Sequence, residues 1–255
     1  MILAIDVGNT NIVLGTIEDG RIGCVARVHT ELSYTSAEYG IKLLQLFDYY
    51  GIDPKMIEGS IIASVVPPIT GVLRDAVSRI TGQDCMVVGP GMKTGMNVRI
   101  DDPGSLAGDL VVGSVAAIAF YGTPAIILNM GTATTMAVVD EKETYRGGAI
   151  IPGVELGLQA LAAQTSLLPY ISVTAPKRVI ATNTVDAMRS GAVYATASMI
   201  DGMIERMEQE LGGRCKVIAT GELLQAVIPH CRKEIICDEN LQLKGLWTLY
   251  RKNRR

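Results

Sequence analysis

Short apolar runs separated by polar, glycine-containing segments open the chain. Residues 1–7 and 12–17 are apolar runs typical of strands, and Gly8, Asn9 and Thr10 between them suit a tight turn. A third run of strand type covers residues 21–29, after a second turn at residues 18–20. Three successive strands joined by tight turns predict an antiparallel meander.

Apolar residues then recur at helical spacing, as Tyr39, Leu43 and Phe47 do between residues 36 and 50. Strand-like and helix-like segments alternate along the rest of the chain, which predicts an α/β fold of mixed sheets flanked by helices. Predicted helices cover 36–50, 69–80, 110–121, 149–163 and 185–212; predicted strands cover 60–66, 85–88, 123–130, 133–139 and 216–220.

The order of residue types near the beginning of the chain repeats near its middle. In residues 3–10 a predicted strand is followed by an aspartate, an apolar residue, a glycine and a polar residue. Residues 126–133 show the same order with an asparagine in place of the aspartate. The offset between Asp6 and Asn129 is 129 − 6 = 123 residues, close to half of the chain. Self-similarity at a fixed offset indicates duplication, so we predict two similar lobes, residues 1–115 and 116–255.

Composition narrows the class of protein. Of the 255 residues, 48% are apolar and 19% charged, which predicts a folded chain with a large core, and the net charge of −3 argues against a dedicated nucleic-acid binder. The five cysteines form no CxxC pair, and the chain opens without the features of an export signal, so we expect reduced thiols in a cytosolic protein. The apolar runs are too short to span a bilayer.

Asp6 and the turn that follows it form the first candidate site. A glycine lets the backbone approach phosphate oxygens closely, and a carboxylate at the end of a strand can hold Mg²⁺, which prefers oxygen ligands. The alternative is an ordinary hairpin in which Asp6 caps a backbone amide.

The second candidate site is the run Gly131-Thr132-Ala133-Thr134-Thr135, whose small and hydroxylated residues suit a second phosphate. Its alternative is a threonine-rich strand, where β-branched residues are common. The two turns occur in register across the duplication, and this pairing favours one nucleotide held by both.

Several motifs together resemble the type III pantothenate kinase family, within the superfamily of acetate kinase, sugar kinases, Hsp70 and actin. They are Asp6-Val7-Gly8-Asn9-Thr10-Asn11 with Gly15, Ser64-Val65-Val66-Pro67, Gly131 to Thr135, Gly147 to Gly153, Asn183-Thr184 and Leu243-Lys244-Gly245-Leu246. The resemblance implies a duplicated, two-lobe actin-like ATPase fold with ribonuclease H-like lobes. It also implies ATP-dependent phosphorylation of the pantothenate primary hydroxyl, the first step of coenzyme A synthesis, by a homodimer that uses Mg²⁺ and a monovalent cation, K⁺ or NH₄⁺.

The resemblance also implies roles for individual residues. Asp109 matches the catalytic base, and we expect the N-terminus of its helix to keep the carboxylate ionised; the alternative is that Asp109 only caps the helix. Thr184 likewise matches a substrate-binding position or caps its own helix. Matched positions are Asp6, Val7, Gly8, Asn9, Thr10, Asn11, Gly131 and Thr132 for ATP; Ala107, Gly108, Asp109, Leu110 and Thr184 for the substrate; Asp6 for Mg²⁺; and Asn129 for K⁺.

Four positions depart from the family pattern. Leu110 replaces an arginine that would contact the substrate carboxylate, Asn129 replaces an aspartate that would bind K⁺, Ile100 replaces a tyrosine, and Glu222 replaces the second glycine of a Thr-Gly-Gly motif. Asn129 either weakens or abolishes cation binding. Two alternatives therefore stay open: a non-catalytic ATP-binding paralogue with a regulatory role, or a kinase for another small hydroxy compound.

Overall fold

The computed structural model describes residues 1–254. The strands are β1 Ile2–Val7, β2 Asn11–Glu18, β3 Arg21–His29, β4 Gly59–Ser64, β5 Cys85–Val87, β6 Asn97–Val98, β7 Ala125–Met130, β8 Ala133–Val139, β9 Thr144–Pro152, β10 Lys216–Gly221 and β11 Ile236–Cys237. The α-helices are α1 Ser36–Tyr49, α2 Pro67–Thr81, α3 Gly108–Phe120, α4 Val154–Gln164, α5 Thr184–Ser190, α6 Thr196–Leu211, α7 Leu224–Val227 and α8 Leu241–Asn253.

The first sheet has five strands in the order β3-β2-β1-β4-β5. β1, β2 and β3 pair antiparallel, which confirms the predicted meander, and β4 and β5 run parallel to β1. The second sheet has the order β11-β10-β7-β8-β9-β6. Its strands β9-β8-β7-β10-β11 repeat the order and directions of the first sheet, as the sequence self-similarity predicted.

Contacts divide the chain into two units. Unit 1 comprises residues 1–96, 101–119 and the chain from Asn240 onward, and unit 2 comprises residues 97–100 and 120–239. The predicted boundary at 115/116 follows the duplication of the sequence and puts residues 241–253 in the second lobe. In the structure, α8 belongs to unit 1, where it contacts β1, β2 and β4.

Both faces of the first sheet are covered within unit 1. One face packs against α1 and α2 through a core that includes Leu43 and Leu73. The other face packs against α3 and α8 through Val112 and Leu246. Helices α3 and α8 lie so close that a Cβ on Gly245 would collide with the carbonyl oxygen of Val112. The small residues of α3 are buried in this packing.

Two predictions of local structure need correction. Residues 149–152, predicted as the beginning of a helix, lie in β9, because the β-branched Ile150 and Ile151 favour a strand and the helix begins only after Gly153. The predicted helix 185–212 contains a π-helical turn at Gly191–Ala195. Helix α8 was not predicted. No helix within residues 1–254 is both long and apolar enough to cross a membrane.

Candidate active site

Asp6 and the Gly8 turn lie at the carboxyl end of β1. The amide of Gly8 donates to the Asn11 carbonyl oxygen at 2.9 Å, and the Thr30 hydroxyl donates to the Gly8 carbonyl oxygen at 2.6 Å. A Cβ on Gly8 would lie 3.0 Å from the Asn11 carbonyl oxygen, so the tight turn favours glycine. Asn9 and Thr10 are exposed at its tip. The predicted ATP-binding residues 6–11 therefore form one braced turn.

The turn after β4 links this region to the predicted substrate residues. The amide of Val65 donates to the Val7 carbonyl oxygen at 3.1 Å, which ties the turn to β1. The Ser64 hydroxyl oxygen accepts hydrogen bonds from the Thr70 hydroxyl at 2.7 Å and the Val66 amide at 3.1 Å. A Cβ on Gly108 would lie 3.8 Å from the Ser64 nitrogen, so α3 begins directly beside this turn.

Asp109 lies in the first turn of α3, not at its cap, since the helix already includes Gly108. Its Oδ1 is buried and has no hydrogen-bond partner among residues 1–254. A buried acceptor without a donor is costly, so this oxygen is suited to accept a hydrogen bond from a ligand. Ala107 and Leu110, its predicted neighbours in the substrate site, are half-buried.

Burial raises the pKa of Asp109 above its ordinary value, although the backbone amides of Leu110 and of Asp109 itself lower it. The amides at the helix N-terminus therefore do not lower the pKa of Asp109 overall, because loss of hydration outweighs their hydrogen bonds. The expectation that Asp109 is ionised stays a prediction. A carboxylate with a raised pKa is a stronger base than an ordinary one, and this suits a group that accepts a proton near neutral pH.

Asp6 and Asp109 act on each other electrostatically. Burial, and after it the negative charge of Asp109, raise the pKa of Asp6 to about 7, although the positive charge of Arg27 opposes them. The structure thus brings together the two carboxylates that the sequence singled out. Arg27 was missed, although the register of the meander could have placed it in line with Asp6, two strands away.

The carboxylate pair fits a divalent cation. No group of three or more His, Cys, Asp or Glu side chains that could hold a metal occurs within residues 1–254. Mg²⁺ does not need such a cage, because it is commonly held by one or two carboxylates together with substrate phosphates and water. A cation at Asp6 would also offset the repulsion between the two carboxylates.

In unit 2, the turn at Gly131 and Thr132 is one residue shorter than the Gly8 turn but makes corresponding backbone hydrogen bonds. In the Gly8 turn, the Thr30 amide also donates to the Thr10 carbonyl oxygen at 2.9 Å. The amide of Gly131 donates to the Ala133 carbonyl oxygen at 3.2 Å, and the amide of Gly153 donates to the Thr132 carbonyl oxygen at 3.1 Å. The amide of Glu222 donates to the Met130 carbonyl oxygen at 3.2 Å, as Val65 does to Val7. The duplication therefore extends to individual backbone contacts.

Asn129 and Thr184 are the remaining predicted residues of unit 2. Asn129 is half-buried on β7, opposite Thr135 on β8, and the Thr135 hydroxyl is buried without a partner among residues 1–254. Thr184 is exposed at the first position of α5, and the cap of that helix is Asn183, whose side chain accepts from the Asp186 amide at 2.9 Å. Thr184 therefore does not cap its helix.

Comparison with known proteins decides the family. The profile described as type III pantothenate kinase matches residues 2–206. The chain belongs to the type III pantothenate kinase family. It is 42% identical to the type III pantothenate kinase of Moorella thermoacetica and 41% identical to that of Halalkalibacterium halodurans, each over 99% of this chain and 100% of the relative.

Solved structures place this family member in the predicted fold. It resembles component A of (R)-2-hydroxyglutaryl-CoA dehydratase from Acidaminococcus fermentans, with a TM-score of 0.56, 14% identity, and 98% and 96% of the two chains covered. It also resembles an inorganic polyphosphate/ATP-glucomannokinase from Arthrobacter sp. strain KM, with a TM-score of 0.50, 15% identity, and 97% and 96% covered. These likenesses confirm the actin-like α/β fold.

The raised pKa of Asp6 predicts a pH-dependent cost in stability. Because the folded state holds the Asp6 proton up to about pH 7, whereas the unfolded chain releases it near pH 4, folding loses stability as the pH rises between these values. We expect Asp6→Asn to be more stable than the wild type, by roughly 2 kcal/mol at pH 7.5 after allowance for partial solvent screening. Urea denaturation in EDTA from pH 4 to 8 measures the difference.

The exposed Asp84→Asn is the matched control for this comparison, and its stability should follow that of the wild type at every pH. If the free energies of unfolding of Asp6→Asn and wild type changed in parallel with pH, Asp6 would not be the source of the pH-dependent cost in stability.

Proposed function

We propose that this protein transfers the γ-phosphoryl group of ATP to the primary hydroxyl of pantothenate, giving 4′-phosphopantothenate and ADP. The observation that carries the proposal is the match to type III pantothenate kinases over the full length of the chain's relatives. The Asp6 and Asp109 pair supports it, because phosphoryl transfer needs a bound divalent cation and a group that accepts the hydroxyl proton.

Each group in the reaction has a proposed place. Asp6 holds Mg²⁺, which when bound neutralises charge on the ATP phosphates. The amides of the Gly8 and Gly131 turns bind phosphate oxygens, through residues 6–11 and through Gly131 and Thr132. Ala107, Gly108, Leu110 and Thr184 contact pantothenate.

Asp109 acts as the base in this scheme. Its Oδ1 accepts a hydrogen bond from the pantothenate hydroxyl, which orients the oxygen toward the γ-phosphorus. The new phosphorus–oxygen bond forms as the bond to the β–γ bridging oxygen breaks. The bridging electron pair leaves with ADP, and the hydroxyl proton passes to Asp109.

Leu110 favours a second candidate, a kinase for another small hydroxy compound. A half-buried leucine beside Asp109 supplies neither charge nor a donor for a substrate carboxylate. Measurement of ADP release across a panel of small hydroxy compounds separates this candidate from pantothenate phosphorylation.

Substitution of Asp109 tests the first proposal. We expect Asp109→Asn to lower kcat by about 10²- to 10⁴-fold, the usual contribution of a positioned base, with pantothenate, Mg²⁺ and ATP supplied. The measurement is 4′-phosphopantothenate formed per minute. Asp84→Asn, an exposed carboxylate of the same unit, should keep the wild-type rate. A wild-type protein that makes no product, or an Asp109→Asn variant as fast as wild type, contradicts the proposal.

Asn129 is proposed to contact a monovalent cation through its side-chain oxygen, and the unpartnered Thr135 hydroxyl oxygen opposite supports this assignment. A full negative charge should bind K⁺ more tightly than an amide dipole does. We expect Asn129→Asp to lower the K⁺ concentration for half-maximal activity by about tenfold, measured at constant ionic strength with Na⁺ as the balancing ion.

The exposed Asn97→Asp adds the same charge elsewhere in unit 2 and should leave the K⁺ dependence unchanged. Identical K⁺ curves for wild type and Asn129→Asp would remove residue 129 from the cation site.

We also propose a homodimer formed through unit 2. Large apolar side chains are exposed in residues 150–180, including Leu167 at 88% and Ile180 at 85% exposure. Such a concentration of exposed apolar groups is typical of an interaction surface. The others in this range are Ile150, Leu156, Leu161, Tyr170 and Val179.

A charge in this surface should separate the subunits. We expect Ile180→Asp to convert a dimer to a monomer in sedimentation velocity at micromolar concentration. Leu32→Asp, at an exposed apolar position of unit 1, should sediment as wild type does. A monomeric wild type, or a dimeric Ile180→Asp, would contradict this assignment.

A further inference from the structure

The register of the first sheet places Arg27 in line with Asp6. Asp6 on β1 lies opposite Val13 on β2, and Val13 lies opposite Arg27 on β3. Residues directly opposite each other in paired strands project from the same face of a sheet. Arg27 and Asp6 therefore point to one side, two strands apart, with roughly 10 Å between their Cα atoms.

That side of the sheet is the one on which α3 packs. Ala63, opposite Asp6 on β4, belongs to the same apolar cluster as Val112 of α3. The row of four residues therefore faces the helix that begins with Gly108 and Asp109. The only side chain between Arg27 and Asp6 in this row is the short Val13, which an arginine can extend across.

Arg27 supplies a positive charge on the same side of the sheet as Asp6. Its charge acts on Asp6, opposing the effects of burial and of Asp109. The residue is exposed, so its side chain is accessible to a ligand, whereas Asp6 and Asp109 are half-buried. An anion that approached the carboxylates would meet this guanidinium as well.

We propose that Arg27 is a further phosphate-binding residue of the site, which contacts the γ-phosphoryl group of the nucleotide while Asp109 holds the acceptor hydroxyl. This rests on the proposed function. The planar guanidinium can donate two parallel hydrogen bonds to phosphate oxygens, and negative charge on those oxygens must be stabilised during transfer. Arg27 exchanges no proton in the reaction.

The γ-phosphate is the group that distinguishes ATP from ADP, so binding of the two nucleotides tests the contact without turnover. We expect Arg27→Met to weaken ATP binding at least tenfold more than ADP binding, by titration calorimetry with Mg²⁺ present. Arg27→Lys should lose less, since it keeps the charge but not the planar pair of donors. Equal losses for ATP and ADP would show that Arg27 only supports the local structure, and would overturn the proposal.

Turnover provides the second measurement. We expect Arg27→Met to lower kcat by about 10²-fold or more, the usual effect of removing one donor to developing charge. Guanidinium ion at millimolar concentration should restore part of the rate to Arg27→Ala, which a misfolded site would not allow. Retention of full kcat by Arg27→Met overturns the assignment.

Arg21→Met is the matched control. Arg21 is an exposed arginine on the same strand, at its other end, opposite Glu18 and beyond the β-bulge near Gly15. It should bind both nucleotides and turn over as wild type does. If Arg27→Met fails to fold, the ATP-to-ADP comparison for Arg27→Lys decides, and an unchanged ratio rejects the contact. A wild type that makes no 4′-phosphopantothenate defeats the proposed function, whereas an active wild type with an active Arg27→Met defeats only this inference.

Discussion

Two partly dehydrated carboxylates, Asp6 and Asp109, repel each other at one edge of the first sheet, and the arrangement of unit 1 holds them there. Burial disfavours the charged form of both, and the charge of Asp109 further disfavours that of Asp6, so the folded protein maintains an electrostatically unfavourable pair. Bound cations relieve this repulsion, and a nucleotide brings a cation with its charged phosphates. The braced Gly8 turn and the close approach of Gly108 to Ser64 keep the carboxylates in place when no ligand is bound.

Much of the fold could be predicted because local signals agree with tertiary pairing. The turns at Gly8 and Gly131 mark hairpins that the structure contains, and the self-similarity between residues 6 and 129 corresponds to sheets of the same order. Residues 149–152 were misassigned because a run of apolar and small residues suits a strand as well as a helix. Helix α8 was missed although the sequence carries signals for it, since Leu243, Leu246 and Leu249 recur at helical spacing and an asparagine stands directly before the helix.

The candidate site was predictable in part for a similar reason. Asp6 lies two residues before Gly8 at the end of a predicted strand, and Asp109 follows Gly108 at the beginning of a predicted helix, so the sequence alone indicates both. The importance of Arg27 depends on the register of three strands. The burial of the Asp109 Oδ1 without a partner among residues 1–254 depends on tertiary packing. The direction of the Asp109 pKa could not be derived from its place in a helix, since the opposing effect comes from tertiary packing.

The packing of α8 also bears on how the chain is made. Helix α8 covers a face of β1, β2 and β4, yet it follows the whole of unit 2 in the sequence. During synthesis, when a chain emerges from its N-terminus, the apolar side chains on that face have no α8 to cover them until more than 240 residues have been translated. The main segment of unit 2, residues 120–239, is continuous and can complete its packing before α8 is made. Unit 1 is therefore begun first during translation but completed last.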